Sequence, residues 1–202
     1  MTGTRTGASA RAMTAGALML GWIALLWVLE SIDMATGQAL DTYGISPREP
    51  GELVDIVPAA FLHSGWGHVA SNTLPLLILG FVAALGGIRR FAAVVLTVIV
   101  VSGLGVWLTA PPYTVTLGAS GVVFGLFGYL LVRGFVDRRP LDIVVGLVIA
   151  AIYGSLLWGV LPTDSGISWQ AHLFGLIGGV GAAFAFRRPR RTARPAPPAP
   201  TV

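Results

Sequence analysis

Apolar runs about twenty residues long, all but the first ended by arginine or proline, dominate this chain and leave little choice of fold. Six such runs cover approximately residues 13–31, 68–86, 91–109, 119–136, 141–160 and 170–186. A helix needs about 20 apolar residues to cross a hydrocarbon layer about 30 Å thick. A spanning segment must also satisfy its own backbone hydrogen bonds, and a helix does so internally. Breaks fall at Arg89-Arg90, Pro111-Pro112, Arg138-Arg139-Pro140 and Pro162-Thr163-Asp164. The pattern predicts an all-α polytopic membrane protein with six transmembrane helices.

The domain reading follows from these runs. Residues 1–12 form an N-terminal segment, 13–186 the membrane domain with an external loop over 32–60, and 187–202 an Arg/Pro-rich tail expected to be disordered. The first run also has the basic flank of a signal peptide. Its uncharged stretch of 18 residues, Ala12 to Leu29, exceeds a signal core of about 7–15 residues, so a retained helix is expected.

Charge sets the expected orientation. The chain has no lysine, so all 13 basic residues are arginines. With the N-terminus cytoplasmic, every arginine except Arg48 falls in a cytoplasmic segment, which satisfies the positive-inside rule and puts the C-terminus inside as well. Arginines spread between apolar runs do not make a nucleic-acid-binding face. The tail arginines suit anionic lipid headgroups. Cysteine is absent, which excludes disulfides, thiolate metal sites and a cysteine nucleophile. Composition rich in Ala, Gly and Arg points to a GC-rich bacterial genome and a multi-pass cell-membrane protein.

A few polar residues interrupt the apolar runs. They are His63, His68 and Asn72 near the second run, Ser120 in Gly118-Ala119-Ser120-Gly121, and His172 in the sixth. Polar side chains inside a membrane are functional candidates by default. Counted back from Arg133, Arg187 and Arg89, Ser120, His172 and Asn72 lie about 20, 22 and 25 Å above the cytoplasmic side at 1.5 Å per residue. Three helices thus deliver polar groups to one layer near the outer face.

Those groups can do acyl-transfer chemistry. A serine hydroxyl needs a base to become a nucleophile, and His172 is the candidate base. Ser120 begins a helix, where free N–H groups favour negative charge. His68 and Asn72 are spaced i, i+4 on one helix face and offer further donors to an oxyanion. No acidic partner for His172 is evident, so a dyad is expected.

Each part also has a plainer reading. Gly-Ala-Ser-Gly and Gly175-xxx-Gly179 are ordinary helix-packing patterns. The expected packing presses the glycine face of the sixth span against Gly121 and Gly125. Trp66 and Trp169 suit the membrane interface, Pro75 a kink, and His63 a loop.

The combined pattern resembles the rhomboid family of intramembrane serine proteases. It comprises His63-xxxx-His68-xxx-Asn72, Gly118-Ala119-Ser120-Gly121 and Ala171-His172-xx-Gly175-xxx-Gly179, across roughly residues 50–186. The resemblance implies Ser120 as nucleophile and His172 as general base. It further implies His68, Asn72 and the Ser120 amide as the oxyanion hole, with Gly118 shaping the preceding loop. Phe124 stands where many bacterial members carry a tyrosine stacked on the histidine; it keeps the ring and loses the hydroxyl. The family implies cleavage of transmembrane protein substrates near the outer membrane face, with no cofactor and no metal.

Competing activities are weighed on the same residues. There is no His-Glu-x-x-His for a zinc protease, no lysine for a Ser–Lys pair, and no glycine at Val122 for a hydrolase elbow. A catalytically inactive relative that binds transmembrane clients remains, as does a small transporter. A zinc site built from His63, His68 and His172 is also conceivable. No charged residue is expected deep in the bundle, which counts against transport.

Overall fold

The computed structural model describes residues 3–162 and 166–188. The helices are α1 Gly3–Ala35, α2 Ile56–Ala59, α3 Trp66–Ala84, α4 Ile88–Thr109, α5 Ser120–Asp137, α6 Pro140–Tyr153 and α7 Trp169–Ala185. The described residues contain no β-strand, only an antiparallel bridge between Ile45 and Thr116. Five helical segments are long and apolar enough to cross a membrane, the fifth being α6 with its 3-10 extension. The 17 residues of α7 reach about 26 Å at 1.5 Å each. The chain is an all-α, multi-pass membrane protein.

Helices α3, α4, α5 and α7 start and stop close to the apolar runs that announce them. Elsewhere the structure differs from the expectation. Helix α1 runs from Gly3 to Ala35, so residues 3–12 are helical and continuous with the first run. Within residues 32–60, α1 continues to Ala35 and the short α2 lies at Ile56–Ala59. The fifth run is α-helical only to Tyr153 and continues as a 3-10 helix, Gly154–Val160. Apolar content does not distinguish these two helix types, whereas Gly154 and Gly159 loosen the α-helical ladder. The expected tail lies, beyond Arg188, outside the described residues.

Helix α5 forms the centre, and every residue from Gly121 to Leu130 is buried. It packs most extensively on α7, then on α6, α3 and α4, while α1 lies against α3. Glycines let the central backbones touch. A Cβ on Gly175 would strike the Gly121 carbonyl, and one on Gly179 the Gly125 carbonyl. A Cβ on Gly128 would come within 2.8 Å of the Leu176 carbonyl. Association inside a bilayer relies on this close van der Waals approach, because lipid tails are as apolar as the helices.

Charged residues do enter the bundle, contrary to the sequence expectation. Glu30 and Asp33 both belong to α1, Asp33 within the expected loop and Glu30 just before it, and both are buried. Their spacing from Met19 and Leu26 puts them on the inward stripe of that helix. Arg133 is buried near the far end of α5. Its guanidinium donates to Asp142 at 3.1 Å and to the Val82 carbonyl at 3.4 Å. Beside it, Arg90 donates to Asp137 at 2.6 and 3.3 Å, and the Arg188 amide adds a bond of 2.8 Å. The Tyr129 ring sits between both guanidiniums, 5.5 and 5.7 Å from their carbons. This cluster ties together the ends of five helices.

Candidate active site

At the opposite end of α5 a cavity of about 1240 Å³ opens, and Ser120, His172, His68, Asn72 and Gly118 all line it. Three helices and one loop supply these residues. Why each side chain stands where it does can be followed outward from Ser120.

Ser120 is the first residue of α5. The loop before it is fastened at three points. Thr116 pairs with Ile45, the Gly118 amide donates to the Ala59 carbonyl at 2.8 Å, and the Ala119 amide donates to His63 Nε2 at 3.3 Å. Gly118 has φ +132°, a left-handed conformation that favours glycine. A Cβ there would also fall 2.8 Å from His68 Nε2. Glycine is therefore required twice at this position. Among the described residues no hydrogen bond engages the Ser120 amide or hydroxyl, so both remain available to a ligand.

His172 lies in the first turn of α7, which Ser168 caps by accepting from the Ala171 amide at 3.3 Å. Ser102 of α4 donates to the Ala171 carbonyl at 2.8 Å, holding the same turn from behind. The Phe124 ring stacks on the imidazole at 3.9 Å between centroids and 6° between planes. His172 Nδ1 lies 2.8 Å from the Gly159 carbonyl. A carbonyl only accepts, so the proton sits on Nδ1 and Nε2 keeps its lone pair. No direct hydrogen bond joins this ring to Ser120 among the described residues; the two share the cavity.

His68 carries the opposite tautomer. Its Nδ1 accepts from the Ser64 amide at 3.4 Å and lies 3.2 Å from the Ser64 hydroxyl. Its proton therefore sits on Nε2, which with Cε1 forms the ring edge that faces Gly118. His68 is the third residue of α3, where a capping-box side chain normally reaches back to the residues before the helix. Asn72, one turn on, donates one amide hydrogen to the His68 carbonyl at 3.1 Å, which leaves its second N–H.

His63 faces away from the chemistry. It is 2% exposed, meets His68 edge-on at 4.9 Å and holds Ala119 through Nε2. No group of three metal-ligating side chains is found among the described residues, so His63, His68 and His172 do not gather round one point.

Two partners escaped the sequence reading: Gly159, whose carbonyl orients His172, and Ser64, whose amide orients His68. A backbone acceptor leaves no side-chain signature. Ser64, at four residues before His68, had a spacing that could have found it.

Comparison with known proteins bears on the family. The sequence matches the Rhomboid domain family over residues 50–189. An uncharacterized protein of Mycobacterium tuberculosis is 39% identical over 194 residues, which cover 92% of this chain and 81% of the relative. Rhomboid protease GluP of Bacillus subtilis is 32% identical over 142 residues, covering 69% of this chain and 27% of that protein. Rhomboid-like protease 5 of Toxoplasma gondii is 35% identical over 158 residues, covering 73% and 18% respectively. With its helical membrane fold and more than half its length matched, the chain belongs to the rhomboid family.

Proposed function

We propose that this protein is an intramembrane serine endopeptidase that cleaves transmembrane segments of other membrane proteins with a Ser120–His172 dyad. The observation that carries this reading is the pairing of tautomers across one cavity. His172 keeps a free Nε2 lone pair and His68 points an Nε2–H towards Gly118, with an unengaged Ser120 hydroxyl beside them.

In this mechanism Ser120 Oγ attacks the scissile carbonyl carbon, and its proton passes to His172 Nε2. The Gly159 carbonyl orients the ring and steadies the imidazolium, a task that a carboxylate performs in a triad. Negative charge on the former carbonyl oxygen is met by the Ser120 amide, His68 Nε2–H and the second N–H of Asn72. The imidazolium then protonates the leaving amine, and water activated by the same base releases the acyl group. Phe124 fixes the orientation of the ring plane, and the contact of Gly121 and Gly125 with Gly175 and Gly179 holds α5 and α7 at catalytic spacing.

The six-span topology belongs to the same proposal. Helix α7 is the sixth span, both termini are cytoplasmic, and the cavity opens near the outer face. Abundant arginine at the end away from the cavity supports that orientation.

The test is reconstitution of the purified chain with a single-pass substrate whose transmembrane segment carries small and helix-breaking residues. Cleavage that Ser120→Ala abolishes supports the proposal. Client binding without cleavage by the wild type favours an inactive, client-binding member instead.

A further inference from the structure

One buried carboxylate has no task in that mechanism. Glu30 is 1% exposed and stands on α1, outside the residues matched to the family. Neither of its oxygens closes a hydrogen bond among the described residues, although the carboxylate faces the backbone amide of Gly65. Its charged neighbours are Asp33 and Asp41, both acidic. Burial and these acidic neighbours work against its charge and the Gly65 amide works for it, so an anion here needs a positive group to offset it.

The group it faces is the start of α3. Gly65 is the N-cap residue, has φ +113° and has no side chain with which to cap. No hydrogen bond among the described residues engages the amides of Gly65, Trp66 or Gly67. A helix start gathers unpaired N–H groups and the positive end of the helix dipole. That is the complement of an unpaired carboxylate.

Helix α1 also grips the first two turns of α3 beside this point. Trp27, one turn before Glu30, stacks on Trp66 at 5.8 Å and 25°, and its indole N–H donates to the Thr73 hydroxyl at 3.0 Å. The two turns of α3 held in this way carry His68 and Asn72. Just before them lies the Ser64 amide that fixes the His68 tautomer.

We propose that Glu30 is a positioning residue, whose carboxylate caps α3 from the neighbouring helix and so holds His68 Nε2–H against the Gly118–Ser120 loop. It touches neither substrate nor reacting atoms. The inference rests on the reading of His68 as an oxyanion donor.

The test uses the full chain in nanodiscs, comparing wild type, Glu30→Gln, His68→Ala and the double variant. Glutamine keeps the shape and removes the charge. Expected for Glu30→Gln is a fall in kcat of about three- to thirtyfold, the range of a lost cap, with KM unchanged. Expected also is no further fall when Glu30→Gln is added to His68→Ala. A merely stabilising residue would not act through His68. Amide hydrogen exchange is read in parallel, and Glu30→Gln should speed it over residues 65–68 and leave α5 and α7 unchanged. An unchanged kcat, an equal fall in the His68→Ala background, or unchanged exchange over residues 65–68 would each overturn the proposal. A wild type that cleaves nothing would defeat the protease reading separately, and amide exchange would then decide the cap alone.

Discussion

The two ends of helix α5 both carry polar groups into the bundle, and they treat them in opposite ways. At the arginine end, Arg90, Arg133, Asp137 and Asp142 bear full charges joined by close bonds, with side-chain exposures of 19% or less. At the cavity end, Ser120, His68, Asn72 and His172 bear no obligatory charge. They surround open space and keep donors or lone pairs unspent. Inside a membrane an unsatisfied polar group is expensive. A network whose charges are paired is therefore most economically structural, even though Arg90 Nε and Arg133 Nε stay unbonded, and neutral groups that keep donors and lone pairs around a cavity are held for a ligand. Polarity alone does not separate architecture from chemistry; paired charges at one end and open space at the other do.

Mutations at the two ends should fail differently. The largest effect is expected from His172→Ala, which should lower cleavage by about a thousandfold or more with thermal stability close to wild type. Cleavage within tenfold of wild type would remove the base from the account. Next comes Asp137→Ala at the other end. It strands the Arg90 guanidinium and should cost about 2–3 kcal/mol of stability, with the rate per folded molecule unchanged. A measured loss of rate without loss of stability would erase the contrast between the ends.

Asn72→Ala should have a smaller effect on rate than a dedicated oxyanion donor, because one amide hydrogen is already given to the His68 carbonyl. A fall in kcat of about ten- to a hundredfold is expected, and an unchanged kcat would reduce Asn72 to a packing role.

The smallest effect concerns Asp41, whose carboxyl is pushed up by burial and, secondarily, by Asp33. The folded chain then holds that proton more tightly than the unfolded chain. The contribution to stability is present at low pH and is lost as pH rises through the folded value. Asp41→Asn should therefore raise the melting temperature by about 1–2 °C at pH 7 and leave it unchanged at pH 3. Equal shifts at both pH values would contradict this.

The fold was largely legible because apolar length is a strong signal in a membrane. What escaped was conformation within an apolar run, such as the change from α6 to the 3-10 turns at Gly154, since hydropathy is blind to it. Glu30 and Asp33 escaped for a related reason. Charges at the end of a run read as loop, and only the packed structure turns them inward. In the site, Ser120, His68, Asn72 and His172 were legible from residue type and spacing. The tautomers were not, because the Gly159 carbonyl and the Ser64 amide that set them are backbone groups.

The most direct measurement is labelling of the detergent-solubilised protein by a fluorophosphonate, which reports an activated serine without a known substrate. The account predicts labelling of the wild type at Ser120, lost in Ser120→Ala and in His172→Ala but retained in Asp137→Asn. A folded wild type that takes no label, or a His172→Ala variant that labels as well as wild type, would contradict it.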